Sequence, residues 1–323
     1  MSEPGGPEPA LEITGLSKSY RIGHLRPRRQ PALHDLSLTV PRGEVFGYLG
    51  PNGSGKTTTL KVLMGLAFAD AGTARLLGRP LEDRRCREKV GYLPENPYLY
   101  DYLTPAEYLD YAGRLFGMPK EARRDRAREL IERVGLAAAA RTPLRRFSKG
   151  MLQRAGLAQA LMNSPDLVFL DEPMSGLDPI GRRLVREIIL DLRSQGRTVF
   201  FSTHILTDAE TLCDRVALLK AGRLAAVGRL DEILDLDVSH MEVLISGLDE
   251  GRVAALPGDP QHRRAIGERW TVPVPEKELG ALVRAVEEAG GRILSVQPVR
   301  QSLEDYFFQE LSAREGDPRW VTD

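Results

Sequence analysis

Apolar and polar residues alternate strictly over residues 36–40, the period of a strand with one buried face. A strand-like pattern already begins at Leu11, and residues 44–49 predict a further strand ending at Gly50. Residues 56–66 predict a helix. Residues 100–163 carry mostly helical spacing, with 123–134 laced with charges around apolar positions. Residues 167–170 are a short, wholly apolar run, as expected of a strand covered on both faces. A helix over 182–192, a strand over 198–202 and a helical stretch over 209–213 follow. Strands over 216–219 and 224–227, turned at Ala221 and Gly222, close the series. Strands alternating with helices predict an α/β fold with a parallel sheet covered by helices.

The ends of the chain read differently. Residues 1–10 are rich in Gly, Pro and Glu and predict a mobile tail. Residues 21–30, with Arg26, Arg28 and Arg29, read as a basic loop; contact with an anionic surface is the sharper alternative. A boundary is expected near residues 230–240. Beyond it, strands over 241–245, 270–274 and 292–296 and helices over 253–256, 277–289 and 303–311 predict a small α+β module. Its pattern is a split βαβ unit with a closing helix. The expected organisation is a tail (1–10), a main domain (11–232), a C-terminal module (240–312) and a second tail (313–323).

Composition removes several classes. Among 323 residues, 45 basic side chains balance 45 acidic ones, which argues against a domain built to hold polyanions; no nucleic-acid partner is expected. No apolar stretch approaches the roughly 20 residues that span a bilayer. The first residues lack the basic and apolar regions of a signal peptide. Cys86 and Cys213 have no CxxC spacing, which suits a reducing cytosol and neither a disulfide framework nor a zinc cluster.

Two motifs carry chemistry. Gly50, Pro51, Asn52, Gly53, Ser54, Gly55, Lys56 and Thr57 match GxxxxGK[ST], with Thr58 next, between a predicted strand and a predicted helix. Glycines let backbone N–H groups curl around phosphate oxygens, and the helix N-terminus favours an anion. Lys56 should reach the β/γ-phosphates and the Thr57 hydroxyl should ligate Mg²⁺. Second, the apolar run 167–170 ends in Asp171 and Glu172. Adjacent carboxylates repel unless a cation or substrate compensates them. Asp171 is placed to hold Mg²⁺, and Glu172 to polarise an attacking water.

The segment Phe147-Ser148-Lys149-Gly150-Met151-Leu152-Gln153-Arg154 resembles the signature of ATP-binding cassette (ABC) ATPases. Ser175-Gly176-Leu177-Asp178 looks like their D-loop, and His204 stands where the family's switch histidine lies. Tyr20 is similar to the aromatic residue that stacks on adenine; packing as a core aromatic is the alternative. The resemblance covers roughly residues 11–230. It implies a P-loop NTPase cassette with a mixed sheet and a helical subdomain over about 97–163. It further implies ATP and Mg²⁺, and head-to-tail pairing with a second cassette, identical or not. In that pair Ser148 and Gly150 of one cassette would cap the γ-phosphate held by the other, and Asp178 would link the two sites. A solvated acidic turn is the alternative for Asp178. His204 would keep Glu172 and the attacking water aligned.

Two motifs depart from the family. Lys149 and Met151 replace the third and fifth residues of the usual LSGGQ, and Glu95 replaces the usual Q-loop glutamine. Glu95 could still ligate Mg²⁺, but it adds negative charge near the triphosphate. Both departures resemble a branch of exporter ATPases whose permease is a separate chain. Tyr98, Tyr100, Tyr102, Tyr108 and Tyr111 place five of nine tyrosines within fourteen residues, where the family receives a permease helix. They fit a partner surface and the subdomain's own core equally well. The resemblance thus implies the ATPase subunit of an exporter, peripheral at the cytoplasmic side of the membrane, driving a separate transmembrane permease. A soluble ABC ATPase acting on ribosomes or DNA is the alternative; one phosphate loop and no sustained heptads fit it poorly. A GTPase or small-molecule kinase fits less well still, because the NKxD guanine motif is absent and the signature would be unexplained.

Overall fold

The computed structural model describes residues 8–23, 28–233, 238–258, 262–300 and 303. These fall into two compact units that divide after Leu230. The first unit begins with β1 (Leu11–Ile22), β2 (Arg28–Val40), β3 (Val45–Leu49) and α1 (Lys56–Leu63). Next come β4 (Ala71–Leu76), β5 (Arg79–Pro80), β6 (Val90–Leu93), α2 (Pro105–Leu115), α3 (Lys120–Arg133) and α4 (Lys149–Ala160). It continues with β7 (Leu167–Asp171), α5 (Pro179–Ser194), β8 (Thr198–Thr203), α6 (Leu206–Leu212), β9 (Arg215–Lys220) and β10 (Arg223–Arg229). A short α7 (Leu230–Ile233) follows.

Two sheets result. One is antiparallel, in the order β2-β1-β4-β5; the other runs β10-β9-β3-β8-β7-β6. The second is parallel from β9 to β6, with β10 antiparallel at its edge. Every residue of β3, β7 and β8 is buried, which explains the apolar stretches 167–170 and 199–201 within them. Phe200 anchors this layer: it stacks on Phe46 at 5.5 Å and meets Phe169 edge-on at 5.4 Å and Tyr48 at 5.1 Å.

The helices begin at strong caps. Thr104 and Glu107 form a reciprocal capping box at α2, with Pro105 in its first turn. Ser148 caps α4 and Asp178 caps α5, each accepting a hydrogen bond from the backbone N–H three residues on.

Some expectations change. The predicted basic loop is in part a hairpin: Arg21 and Ile22 belong to β1, and Arg28, Arg29 and Gln30 to β2. Tyr20 pairs with Gln30 and Ile22 with Arg28, so backbone pairing extends the ribbon despite its polar sequence. Arg26 lies outside the described residues. Ala10, expected in a mobile tail, is fully buried, donates to the Val40 carbonyl at 2.9 Å and accepts from the Leu77 N–H at 2.9 Å. The helix predicted over 56–66 ends at Leu63, and the one over 182–192 is longer, Pro179–Ser194. Strands β4 and β5 carry no clear apolar alternation and were not expected.

The second unit holds β11 (Val238–Ser246), α8 (Glu250–Ala254), β12 (Arg264–Ile266), β13 (Arg269–Val274), α9 (Leu279–Glu288) and β14 (Arg292–Arg300). Its sheet order is β12-β13-β11-β14. Both β13 and β14 run antiparallel to the β11 between them, so β13-α9-β14 is a split βαβ unit. Val243, Ile245, Val272, Leu282 and Val286 form its core. The helix expected over 303–311 lies outside the described residues except for Leu303, and so do residues 1–7 and the tail at 313–323.

Glu44 supplies a test of the first unit's electrostatics. Its carboxylate lies 3.8 Å from the Arg215 guanidinium without a hydrogen bond, and burial pushes its pKa from 4.5 up to about 7 against the pull of Arg215. The folded state therefore keeps a proton that the unfolded chain releases, and stability falls as pH rises from 4.5 to about 7. Glu44→Gln should not change the melting temperature below pH 4.5 and should raise it progressively across that window, with a constant gain above it. A gain equal at every pH would rule out burial as the cause.

Candidate functional site

The parallel register places three strand ends side by side. Leu49 pairs with Thr203 and Asp171 with Ser202, so Gly50, Glu172 and His204 emerge together at the carboxyl edge of the sheet. That edge is where open α/β sheets bind ligands. There, residues 52–58 line a recess of about 450 Å³ with Ala32, Glu95, Glu172, Ser175 and His204.

The loop at residues 50–55 needs its glycines. A Cβ on Gly50 would lie 2.3 Å from the Leu219 carbonyl oxygen. Gly55 has φ +108, and a Cβ there would lie 2.6 Å from the Ala32 carbonyl oxygen. The loop then leads into α1, whose free N–H groups face its start. The buried Lys56 ammonium bends back to donate to the carbonyls of Gly50 at 2.7 Å and Pro51 at 3.2 Å.

The carboxylates close the other side. Asp171 is fully buried, and its Oδ1 accepts from the Ser202 hydroxyl at 2.5 Å. Glu172 has φ +48, a left-handed backbone that a non-glycine residue adopts only under constraint. The constraint is visible: its N–H donates to the Ser202 carbonyl at 3.2 Å and to the Ser202 Oγ at 3.1 Å. Its carboxylate lies 3.0 Å from His204 Nδ1 through Oε2, and 3.7 Å from Lys56 Nζ through Oε1. Burial pushes the Lys56 ammonium below its usual pKa, while Glu172, Asp171 and Glu95 oppose that shift.

The residues fit a bound nucleotide and a hard cation. Ser54 Oγ, Asp171 Oδ2 and Glu172 Oε1 are buried with no hydrogen-bond partner among the described residues. A Cβ on Gly53 would meet nothing within 4 Å, so backbone is open to a ligand there. No cluster of three His, Cys, Asp or Glu side chains that could hold a metal occurs among the described residues. The two buried carboxylate oxygens without hydrogen bonds suit Mg²⁺, which takes one or two carboxylates and completes its shell with waters and substrate phosphates.

The sequence of the family described as ABC transporter matches residues 33–175. An ABC transporter ATP-binding protein of Synechocystis sp. is 46% identical, over 94% of this chain and 85% of its own length. The chain belongs to the ABC transporter ATP-binding proteins. It binds ATP and is an ATPase. A Nod factor export ATP-binding protein I of Ralstonia nicotianae is 39% identical, over 76% of this chain and 74% of its own. Among solved structures, the cassette is similar to a dimeric, post-hydrolysis ATP-binding cassette bound to ADP and Pi. That likeness has a TM-score of 0.63 at 25% identity, over 68% of this chain and 98% of the other.

The remaining expected site residues lie elsewhere. Tyr20 does not line the recess; it is part exposed on β1, with the Lys18 ammonium 5.4 Å from its ring centre, and Ala32 of the adjoining strand lines the recess. Ser148, Gly150 and Asp178 are also outside the lining of this recess. A Cβ on Gly150 would lie 3.2 Å from Leu177 Cδ2, so the start of α4 packs against the turn before α5. Ser202 was missed. Its only signal was a hydroxyl beside a second one, Thr203, at the end of an otherwise apolar strand.

Ser202→Ala removes a donor from buried Asp171 and an acceptor from the Glu172 N–H. Urea unfolding should show a loss of about 1–3 kcal/mol, the usual scale for stranding a buried polar group. ATP turnover should fall as well, because the same hydroxyl fixes the backbone of Glu172. Wild-type stability and turnover together would remove Ser202 from the site.

Proposed function

We propose that this chain is the ATPase subunit of an ABC exporter, acting as one of two paired cassettes on a separate transmembrane permease. The observation that carries the catalytic part is the Glu172 carboxylate. It is buried at a strand end, faces the phosphate loop, and lies between His204 and Lys56. Glu172 acts as general base toward water attacking the terminal phosphate. The His204 Nδ1–H donates to Oε2 and fixes the carboxylate's direction; the other ring nitrogen donates to a phosphate oxygen when the ring carries both protons. Lys56 and the N–H groups of the loop neutralise phosphate charge. Thr57, Asp171 and Glu95 would hold Mg²⁺, which when bound neutralises charge on the phosphate oxygens. Tyr20 serves the adenine end of the site.

Pairing explains the residues outside this recess. Ser148, Gly150 and the N-terminus of the twelve-residue α4 form an anion site that the chain's own loop does not use. Asp178 caps α5 while remaining exposed, and the neighbouring Ile180 is 80% exposed. An apolar side chain so exposed beside a polar rim suits a buried interface in a pair of cassettes.

The permease reading rests on the tyrosine-rich segment. Tyr108 packs against the core, but Tyr98 is 95% exposed and Tyr102 66%, with Leu115 and Phe116 exposed nearby. Among the described residues no helix is long and apolar enough to cross a membrane. The chain would act peripherally at the cytoplasmic face. Export as the direction is supported by the relative named for Nod factor export. The module over residues 240–312 is an accessory domain without catalytic residues.

Glu172→Gln should keep ATP affinity, lose most turnover and sediment as a dimer with ATP but as a monomer without it. Lys56→Ala should lose most nucleotide affinity. A Glu172→Gln protein that stays monomeric at saturating ATP would overturn the paired-cassette reading; undiminished turnover would overturn Glu172 as base.

A further inference from the structure

The second unit contains a recess that ATP hydrolysis does not use. Alternation along β11 sends Val243 and Ile245 into the core, which leaves His240 and Glu242 on the opposite face. Pro273 pairs across from Glu242, and Val299 across from His240. Arg264 on β12 pairs with Thr271 of β13. Glu242, Arg264, Pro273, Val274, Pro275 and Val299 are among the residues lining a recess of about 500 Å³. That volume is in the range of small-molecule sites, which are typically apolar with a few placed polar groups.

The charges define what fits. Glu242 and Arg264 have opposite signs, but no ion pair joins them. Strand β13 separates their strands, so roughly 10 Å of sheet lies between their backbones. Pro273 stands on the strand between them, and Pro275, Val299, His240 and His262 also line the recess. A purely anionic ligand would satisfy Arg264 and be repelled by Glu242, and a purely cationic one would do the reverse. A neutral apolar ligand would strip water from both charges without replacing it. A ligand with a carboxylate, an ammonium and an apolar body uses both charges and the apolar lining.

We propose that this recess binds an amino acid with a large apolar side chain. Its carboxylate meets the Arg264 guanidinium, whose planar fork matches a carboxylate through two parallel hydrogen bonds. Its ammonium meets Glu242, and its side chain covers Pro273, Pro275 and Val299. The site stands within one compact unit and does not depend on the reading of the ATPase, the paired cassettes or the permease.

The test is calorimetric titration of the full chain with three ligands sharing one ring: L-phenylalanine, 3-phenylpropionate and phenethylamine. L-phenylalanine should bind saturably, and each analogue, lacking one charge, at least about tenfold more weakly. Glu242→Gln should abolish the advantage of L-phenylalanine over 3-phenylpropionate, and Arg264→Gln its advantage over phenethylamine. Both variants should keep wild-type melting temperature and ATP turnover. No saturable heat up to about 10 mM L-phenylalanine, a millimolar limit worth only about 3 kcal/mol, would overturn the proposal. Equal binding of all three ligands would overturn it too.

Discussion

One lysine faces three carboxylates at the carboxyl edge of the central sheet, and that imbalance shapes the cassette. Asp171, Glu172 and Glu95 all act on Lys56, while Asp171 Oδ2 and Glu172 Oε1 are buried without hydrogen bonds. Unpaired buried carboxylate oxygens are costly. The fold tolerates them because strands β3, β7 and β8 are locked by parallel pairing and a core of aromatic rings. It also supplies partial compensation through Ser202, His204 and Lys56. The backbone strain at Glu172 belongs to the same arrangement: a left-handed turn directs that side chain into the recess.

Much of this was legible in the sequence, for physical reasons. The phosphate loop has a fixed spacing because only glycine fits where backbone must curl and approach Ala32 and Leu219. The strand ending in Asp171 and Glu172 was visible because burial on both faces demands an apolar run. The carboxyl ends of β3, β7 and β8 align because βαβ crossovers force parallel strands. Other features had no local signal. The hairpin carrying Arg21, Arg28 and Arg29 is held by backbone pairing, to which its charged side chains are indifferent. Ser202 matters through its position opposite Asp171, and register across two strands distant in sequence is not written in either strand alone.

The tyrosine segment shows where the sequence left a real choice and the fold divided it. On α2 Tyr108 turns to the core and Tyr111 is exposed, and Tyr98 and Tyr102 are exposed in the segment before that helix. Likewise Asp178 has a structural task as the cap of α5, and an exposed position that leaves it available to a neighbour. The phosphate loop, Glu95, Glu172 and His204 share one recess on one face of the cassette. The starts of α4 and α5 lie outside that recess, and the proposed pairing would give them a second task.

The charge imbalance is most directly tested by ATP affinity of the purified chain, measured by titration calorimetry with excess Mg²⁺ and again with excess EDTA. Three carboxylates around one lysine should repel the bare triphosphate. Affinity without the divalent cation should therefore fall by at least about tenfold, or 1.4 kcal/mol. Glu95→Gln should recover part of that loss. Equal affinity with and without Mg²⁺ would mean that the carboxylates are already neutralised by the chain itself, and would contradict the account.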